Sequence, residues 1–227
     1  MKTMRGSRVP EAAAAKGLAG MRLTRNSTNP GSLAVFIVAV VAGLAVFVAV
    51  VYLPLLWFVA RMTPRRFFSG AFGGMAVAFA ATSTVAALPV MLEDAKQKLK
   101  VDPSVADLVL PLGASMYRAG SALYQGAAVI FLAHLYQVPI PAAALGGALL
   151  ATFLVSLTVA PVPSSSVVTL APALDTVGVP LSGMAILLGV DRIPDMFRSS
   201  VNAAGQVTTT VLVERWVGGG KGAPPAG

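Results

Sequence analysis

The sequence predicts an all-α polytopic membrane protein that contains transmembrane helices and two re-entrant helical hairpins. Charged residues make up only 11% of its 227 residues, against about 25% in soluble domains. The mean hydropathy is +0.78. Long uncharged runs alternate with short charged loops, and two of the runs are interrupted by small polar residues and proline. Such interruptions are tolerated at membrane depth only where protein or water surrounds the backbone.

The first apolar run, 31–60, contains no charged residue. Its thirty residues exceed the roughly 20 that span hydrocarbon, so they predict a transmembrane helix that is tilted or kinked, with Pro54 at the kink. Residues 1–30 carry six lysines and arginines against one acid. We expect them to form a basic, disordered flank, although an Arg-rich, acid-poor composition is also typical of organellar transit peptides.

The second run, 67–92, predicts the first re-entrant hairpin. It is rich in glycine and alanine, and its central "ATSTVAALP" places hydroxyl groups and a proline where a transmembrane helix would be regular. We therefore expect two half-helices that enter and leave the membrane by the same face.

The remaining chain repeats this arrangement. A broken helix is predicted over 108–135, a helix with a second hairpin over 139–181, a long helix over 184–216 and a disordered tail over 217–227. The first interruption, near Val85, precedes Arg118 by 33 residues, and the second, near Pro161, precedes Asp195 by 34. Paired interrupted segments of this kind point to the binding site of a transporter.

Polar residues form one stripe on the last predicted helix, since their spacings of 4, 3, 4 and 4 keep them on one face. A charge at the bilayer centre costs roughly 3 to 15 kcal/mol, so it is kept for pairing or for function. One interpretation is an Asp195–Arg198 ion pair that only joins helices. The other is a zwitterionic substrate whose carboxylate binds Arg198 and whose ammonium binds Asp195. The stripe consists of Asp191, Asp195, Arg198, Asn202 and Gln206.

Composition argues against several other functions. The chain has no cysteine and one histidine, His134, so disulfides, thiolate catalysis and cysteine metal sites are excluded, and we expect no metal site or organic cofactor. An intramembrane protease fits poorly, because Asp191 and Asp195 share one helix and His134 lacks a serine partner in a Gly-x-Ser-Gly context. We expect no enzymatic activity and no nucleic-acid partner, since the basic residues cluster at the N-terminus and in two short loops.

Three stretches resemble the dicarboxylate/amino acid:cation symporter family, the glutamate transporters. They are "PLGASMYRAGSALYQG" (111–126), "ALPV" (87–90) after a hydroxyl-bearing tip, and "DRIPDMFRSSVNAAGQ" (191–206). The resemblance runs from about Leu33 to Trp216. It implies a glutamate-transporter-like transport domain made of that family's sixth helix, first hairpin, seventh helix, second hairpin and eighth helix.

The resemblance implies a secondary active, symporter-like carrier of amino acids or dicarboxylates that is an integral multi-pass protein of the lipid bilayer. The plasma membrane is the expected location, with an organelle membrane as the alternative that the basic N-terminus suggests. The family's five upstream helices, which build most of its trimeric scaffold, have no counterpart here, and this weakens the implied homotrimer. A truncated, non-transporting fragment, or an interaction partner of a full-length homologue, is therefore the alternative function.

The resemblance also implies roles in substrate binding. Arg198 matches the arginine that binds a side-chain carboxylate, and Asp195 matches the residue that holds the amino group. Ser199 and Asn202 match neighbours that line the substrate and cation sites. The two hairpin tips contribute Ser83, Thr84, Val162 and Pro163.

The region of the cation sites departs from the family. The family's "NMDG" reads "YRAG" here, and its aspartate near the middle of the last helix is Gln206. Two carboxylates are missing, and a guanidinium, which would repel sodium, has been added. We hypothesise that sodium coupling is weakened or lost, with Arg118 in place of a bound cation; sodium or a proton is the possible coupling ion. The region comprises Tyr117, Arg118, Ala119, Asp191, Asn202 and Gln206.

Overall fold

The structure is a computed structural model that describes residues 30–156 and 163–218, with only the backbone of Ala143. Within these ranges the chain forms ten α-helices and no strand, so the predicted all-α class is confirmed. The helices are α1 (Pro30–Phe47), α2 (Pro64–Ala81), α3 (Thr84–Gln97), α4 (Pro103–Met116), α5 (Ala119–Leu135), α6 (Ala142–Ser156), α7 (Ser165–Val168), α8 (Ala171–Val177), α9 (Gly183–Val190) and α10 (Arg192–Val217).

Helix α1 continues into two π-helical segments, Val48–Tyr52 and Leu55–Val59, on either side of Pro54. Proline lacks an N–H and its ring clashes with the carbonyl four residues earlier, which explains the change of bonding pattern around it. The whole span Pro30–Val59 is 30 residues long with a mean hydropathy of 3.1. Among the described residues it is the one helix long and apolar enough to cross a membrane by itself.

Helices α2 and α3 pack against each other as a hairpin. The turn is made by Thr82, which has a left-handed backbone (φ 50°), and Ser83, whose hydroxyl accepts a hydrogen bond from the Ala86 N–H at 3.3 Å and so caps α3. Pro89, which the sequence places at the interruption, lies inside α3. The two arms approach closely at Gly74, where an added Cβ would overlap Met91. Whether this hairpin is re-entrant stays a prediction.

Helices α4 and α5 meet at Tyr117 and Arg118, where the sequence predicts the interruption. The Tyr117 N–H closes α4 by donating to the Gly113 carbonyl at 2.8 Å, and the Arg118 carbonyl opens α5 by accepting from the Ala122 N–H at 3.0 Å. Arg118 itself has φ −136° and ψ 34°, which are not helical. The break leaves backbone groups that neighbouring elements must satisfy.

The C-terminal part contains helices α6 to α10. Residues 157–162 of the predicted second interruption lie outside the described residues, as do the basic flank before Pro30 and the tail beyond Gly218. The predicted single helix over 184–216 is wrong in one respect, because it is divided into α9 and α10 at Asp191. Pro194, in the first turn of α10, has no N–H and cannot continue the hydrogen bonding of α9.

Helix α10 is the central element of the molecule. It packs against α1, α2, α3, α4 and α5. Its apolar residues Ala203, Val207 and Val211 belong to a core shared with the first hairpin and α4. A second core joins α1, α5, α8 and α9. These contacts enclose the polar face of α10 within the protein. The candidate site lies on this face.

Substitution of Gly205 tests this packing. An added Cβ at Gly205 would overlap the Tyr117 ring and the Tyr52 hydroxyl. Overpacking typically costs about 1 to 3 kcal/mol, so we expect Gly205→Ala to lower the melting temperature of the detergent-solubilised protein. Gly189→Ala is the control, because no atom lies within 4 Å of its added Cβ, and alanine favours a helix over glycine. Equal melting temperatures for the two variants would contradict this packing.

Candidate functional site

The polar stripe of α10 faces the protein interior. Its five side chains are all buried, with exposed fractions of 0 to 3%. Burial without partners would be very costly for the three charged members. The hydrogen bonds and ion pairs of these five side chains therefore determine which ligand groups the site can bind.

Arg198 is the centre of the stripe. Its Nη2 lies 2.5 Å from Asp195 Oδ1 and its Nη1 lies 3.4 Å from Asp191 Oδ1. The guanidinium stacks on the Tyr124 ring at 4.3 Å from the ring centroid, a favourable cation–π geometry. The second Asp195 oxygen accepts a hydrogen bond from the Ser164 N–H at 2.9 Å. The ion pair of the first interpretation is present, but both of its residues lie on α10. The contact with the segment that follows the second interruption is the Ser164 hydrogen bond to Asp195.

Asn202 holds the start of α5. Its Oδ1 accepts from the Gly120 N–H at 2.8 Å, and its Nδ2 donates to Ser121 Oγ at 3.1 Å. Gly120 lies so close to α10 that an added Cβ would stand 3.1 Å from the Arg198 carbonyl oxygen. One amide side chain thus satisfies a backbone N–H that the break leaves free and keeps α5 against Arg198.

Gln206 and two tyrosines hold the end of α4. The Gln206 Nε2 donates to the Tyr117 carbonyl at 3.3 Å. The Tyr117 hydroxyl donates to the Tyr52 hydroxyl at 3.0 Å, which in turn donates to the Val201 carbonyl at 3.2 Å. Both the backbone and the side chain of Tyr117 are therefore fixed by the protein itself. Tyr52 links the π-helical part of the first span to this region.

Arg118 is buried at the break, with 7% of its surface exposed. Its Nη2 donates to the Ala114 carbonyl at 3.1 Å, while its Nε has no partner among the described residues. Ala119, which follows it, is half-buried and carries no polar side chain. Arg118 is thus the one buried cation of the described structure that forms no ion pair.

The tip of the first hairpin is tied to α10 by Arg192. Its Nη1 donates to Thr82 Oγ1 at 3.2 Å and its Nη2 to the Ala80 carbonyl at 3.4 Å. Of the two residues predicted to bind substrate here, Ser83 caps α3. Thr84 is buried and its hydroxyl has no partner within the described ranges. Of the two predicted residues, Thr84 is therefore the one whose hydroxyl could bind a ligand without first losing a hydrogen bond to the described residues.

The tip of the second hairpin is described in part. Val162 lies outside the described residues, and Pro163 is exposed. Ser164 was not predicted, yet it supplies the N–H that binds Asp195. Ser199, predicted from the resemblance, is buried beside Arg198 with 6% exposed.

Other site residues were missed from the sequence. Tyr124 stacks on Arg198, and Gln125 donates to the Ser166 carbonyl at 3.1 Å and to Thr169 Oγ1 at 2.9 Å, which joins α5 to α7. Both residues lie in the sequence "PLGASMYRAGSALYQG", where a glutamine within an apolar run could have indicated a buried polar contact. Nothing in the sequence points to Tyr52.

Buried polar atoms without a hydrogen-bond partner concentrate on the elements around this region. Such atoms are rare in proteins and call for an explanation. They lie on the first hairpin tip, at the α4–α5 break, in α5, and at the start and middle of α10. Among the described residues they are Thr84 Oγ1, Arg118 Nε, Tyr124 Oη, Gln125 Oε1, Asp191 Oδ2 and Gln206 Oε1.

No group of three or more histidine, cysteine, aspartate or glutamate side chains that could hold a metal ion occurs within 30–156 and 163–218. The polar atoms that converge here are instead guanidinium, carboxylate, amide and hydroxyl groups. This donor set suits a small molecule that carries both carboxylate and ammonium groups.

Comparison with known proteins places the chain beside membrane transporters. The sequence model described as the sodium:dicarboxylate symporter family matches residues 18–216. Glt-3 of Caenorhabditis elegans, assigned as a sodium-dependent excitatory amino acid transporter, is 37% identical over 77% of this chain and 32% of its own length. Excitatory amino acid transporter 3 of Oryctolagus cuniculus is 33% identical over 81% of this chain and 35% of its own length. Excitatory amino acid transporter 2 of Homo sapiens is 34% identical over 76% and 30%, respectively. The chain spans about a third of the length of these curated relatives.

Substitution of Asn202 tests how the break is held. Asn202→Ala leaves the buried Gly120 N–H and Ser121 hydroxyl without their partner, and such a loss typically costs about 1 to 3 kcal/mol. We expect a lower melting temperature in the absence of any substrate. Ser200→Ala is the control, because Ser200 is half-buried on the same helix and makes no side-chain hydrogen bond within the described structure. If both variants melt like the parent chain, Asn202 does not hold the break.

Proposed function

The chain belongs to the sodium:dicarboxylate symporter family, and from this premise we propose that it forms the substrate-binding part of a carrier for amino acids or dicarboxylates. The family and the relatives are membrane transporters, so the helices belong to a polytopic membrane protein. The proposed mechanism is secondary active transport without enzymatic chemistry. The plasma membrane is the proposed location, and a homotrimer is the proposed assembly where scaffold helices are supplied.

The observation that carries the proposal is the buried Arg198 between two carboxylates. Asp195 and Asp191 both form ion pairs with the guanidinium. An acidic amino acid can exchange partners within this group: one of its carboxylates takes the place of Asp195 on Arg198, and its ammonium binds the released Asp195. Arg198 and Asp195 are then both paired before and after binding, so the exchange avoids the several kcal/mol that an unpaired buried charge would cost.

The second hairpin is suited to respond to this exchange. Ser164 donates its N–H to the same Asp195 carboxylate, so any movement of Asp195 towards a ligand is transmitted to the segment after the second interruption. In the family this hairpin acts as the outer gate, a role that the resemblance implies here as well. The contact supplies a physical link between the binding step and the gate.

The charges of this region support weak or absent sodium coupling. Two buried cations, Arg118 and Arg198, accompany two buried carboxylates, Asp191 and Asp195, so the formal charges already balance without a bound cation. Gln206 directs an amide N–H, rather than a carboxylate oxygen, at the Tyr117 carbonyl. A hydrogen-bond donor that already occupies this carbonyl leaves it less available as a sodium ligand.

A ligand titration tests the proposed function. The purified chain is melted in detergent with increasing L-aspartate, L-glutamate, succinate or L-alanine, in sodium chloride and in choline chloride. A bound ligand raises the stability by about 2.7 kcal/mol at 100 times its Kd, and we expect at least one of these ligands to raise the melting temperature equally in both salts. Arg198→Ala should abolish the response to acidic ligands, whereas Arg215→Ala, at the far end of α10, should retain it.

Two results would contradict the proposal. If no ligand changes the melting temperature of the parent chain in either salt, the chain is better described as a non-transporting interaction partner of a longer homologue. If Arg198→Ala responds like the parent chain, the polar stripe is not the binding site.

A further inference from the structure

Arg118 is a buried guanidinium that no carboxylate of the described residues contacts directly. It is 93% buried, since 7% of its surface is exposed, and it forms no ion pair within the described ranges. Its hydrogen bond goes to the neutral Ala114 carbonyl, and its Nε is buried without a partner. A buried charge in this situation is strongly destabilising unless something neutralises it.

The position of Arg118 in the fold favours an anion. It immediately precedes α5, a helix of 17 residues, and the free N–H groups of a helix N-terminus carry a partial positive charge that attracts anions. The Gly120 N–H is already taken by Asn202, whereas the guanidinium of Arg118 keeps donors free. The donor left for an anion at this break is therefore the buried Nε of Arg118, since its Nη2 already bonds the Ala114 carbonyl of α4.

This place adjoins the proposed binding site. Gly120, in the first turn of α5 and two residues after Arg118, packs directly on the Arg198 backbone. The two arginines differ in one respect: Arg198 contacts two carboxylates, while Arg118 contacts none within residues 30–156 and 163–218. An incoming carboxylate meets less competition at Arg118 than at Arg198.

We propose that Arg118 binds a carboxylate of the transported molecule. This inference rests on the proposed function and specifies how the site recognises its substrate. Arg118 takes the first carboxylate, Asp195 takes the ammonium of an amino acid, and Arg198 is left for a second carboxylate. A neutral amino acid then needs no rearrangement of Arg198, whereas an acidic amino acid or a dicarboxylate must displace Asp195 from it.

The positive charge of Arg118 can balance the buried carboxylates before the substrate binds and pair with the substrate's carboxylate afterwards. Binding a monocarboxylate therefore leaves no guanidinium of the site unpaired. Removal of Arg118 removes both a charge and a planar donor group that fits carboxylate geometry.

The test compares ligands with and without a carboxylate on the full chain in detergent. L-alanine and L-alaninamide form one pair, and succinate and succinamide form the other; the Kd of each ligand is taken from thermal-shift titrations. Loss of a charge-assisted hydrogen bond predicts that Arg118→Met raises the Kd of the carboxylate ligands about tenfold or more and leaves that of L-alaninamide unchanged. Arg215→Met, on α10 outside the polar stripe, serves as control and should not change any Kd.

Two further conditions separate this proposal from its competitors. All titrations are repeated with methanesulfonate, an anion without a carboxylate, in place of chloride. An effect of Arg118→Met that disappears without chloride would show a site for a small inorganic anion and overturn the proposal. Unchanged affinity for L-alanine in Arg118→Met, together with lost binding in Arg198→Ala, would overturn it while the proposed function stands. No binding of any carboxylate ligand to the parent chain would overturn both.

Folding of the variants is checked by circular dichroism and size-exclusion chromatography. If Arg118→Met does not fold, the Kd of L-alanine is measured for Arg118→Lys instead. Lysine keeps the charge but cannot form the paired hydrogen bonds of a guanidinium. A severalfold rise in the Kd of L-alanine supports the proposal. An unchanged Kd overturns it.

Discussion

The ion pair of Arg198 with Asp195 and Asp191 is the interaction on which the rest of the interior depends. All three groups are buried, and removing one partner of such a group typically costs about 3 to 5 kcal/mol because the others remain charged. Asp195 also receives the Ser164 N–H, and Arg198 also stacks on Tyr124. The charges of one helix thus fix the positions of the second hairpin and of α5. A substrate that competes for any of these charges must act on both elements.

The broken helix is stabilised by the same face of α10. A break within a membrane-embedded helix exposes backbone N–H and carbonyl groups that lipid cannot satisfy. Asn202 satisfies the start of α5, at Gly120, and Gln206 satisfies the end of α4, at the Tyr117 carbonyl. Both partners at the break are neutral amides. Amide groups at the break cannot bind a cation as strongly as carboxylates would. This property depends on the identity of two side chains, Asn202 and Gln206, and not on the fold.

The sequence allowed the elements and the polar stripe to be predicted, because both follow from local pattern. The length of the uncharged run predicts the first span. The spacing of three and four residues between polar side chains predicts the buried polar face of α10. The contacts between elements could not be predicted in this way. Tyr52 is an unremarkable tyrosine in an apolar run, and only the fold brings it to Tyr117. The division of the last helix at Asp191 was also missed, although Pro194 was a visible signal.

The central claim is that the protein's own groups, Arg118 and the Gln206 amide among them, take the place of bound sodium. Equilibrium binding of radioactive sodium to the purified chain tests this claim most directly, with and without the ligand that gives the largest thermal shift. The account predicts no saturable sodium binding in either condition. Saturable, stoichiometric binding of sodium that strengthens when the ligand is present would contradict it.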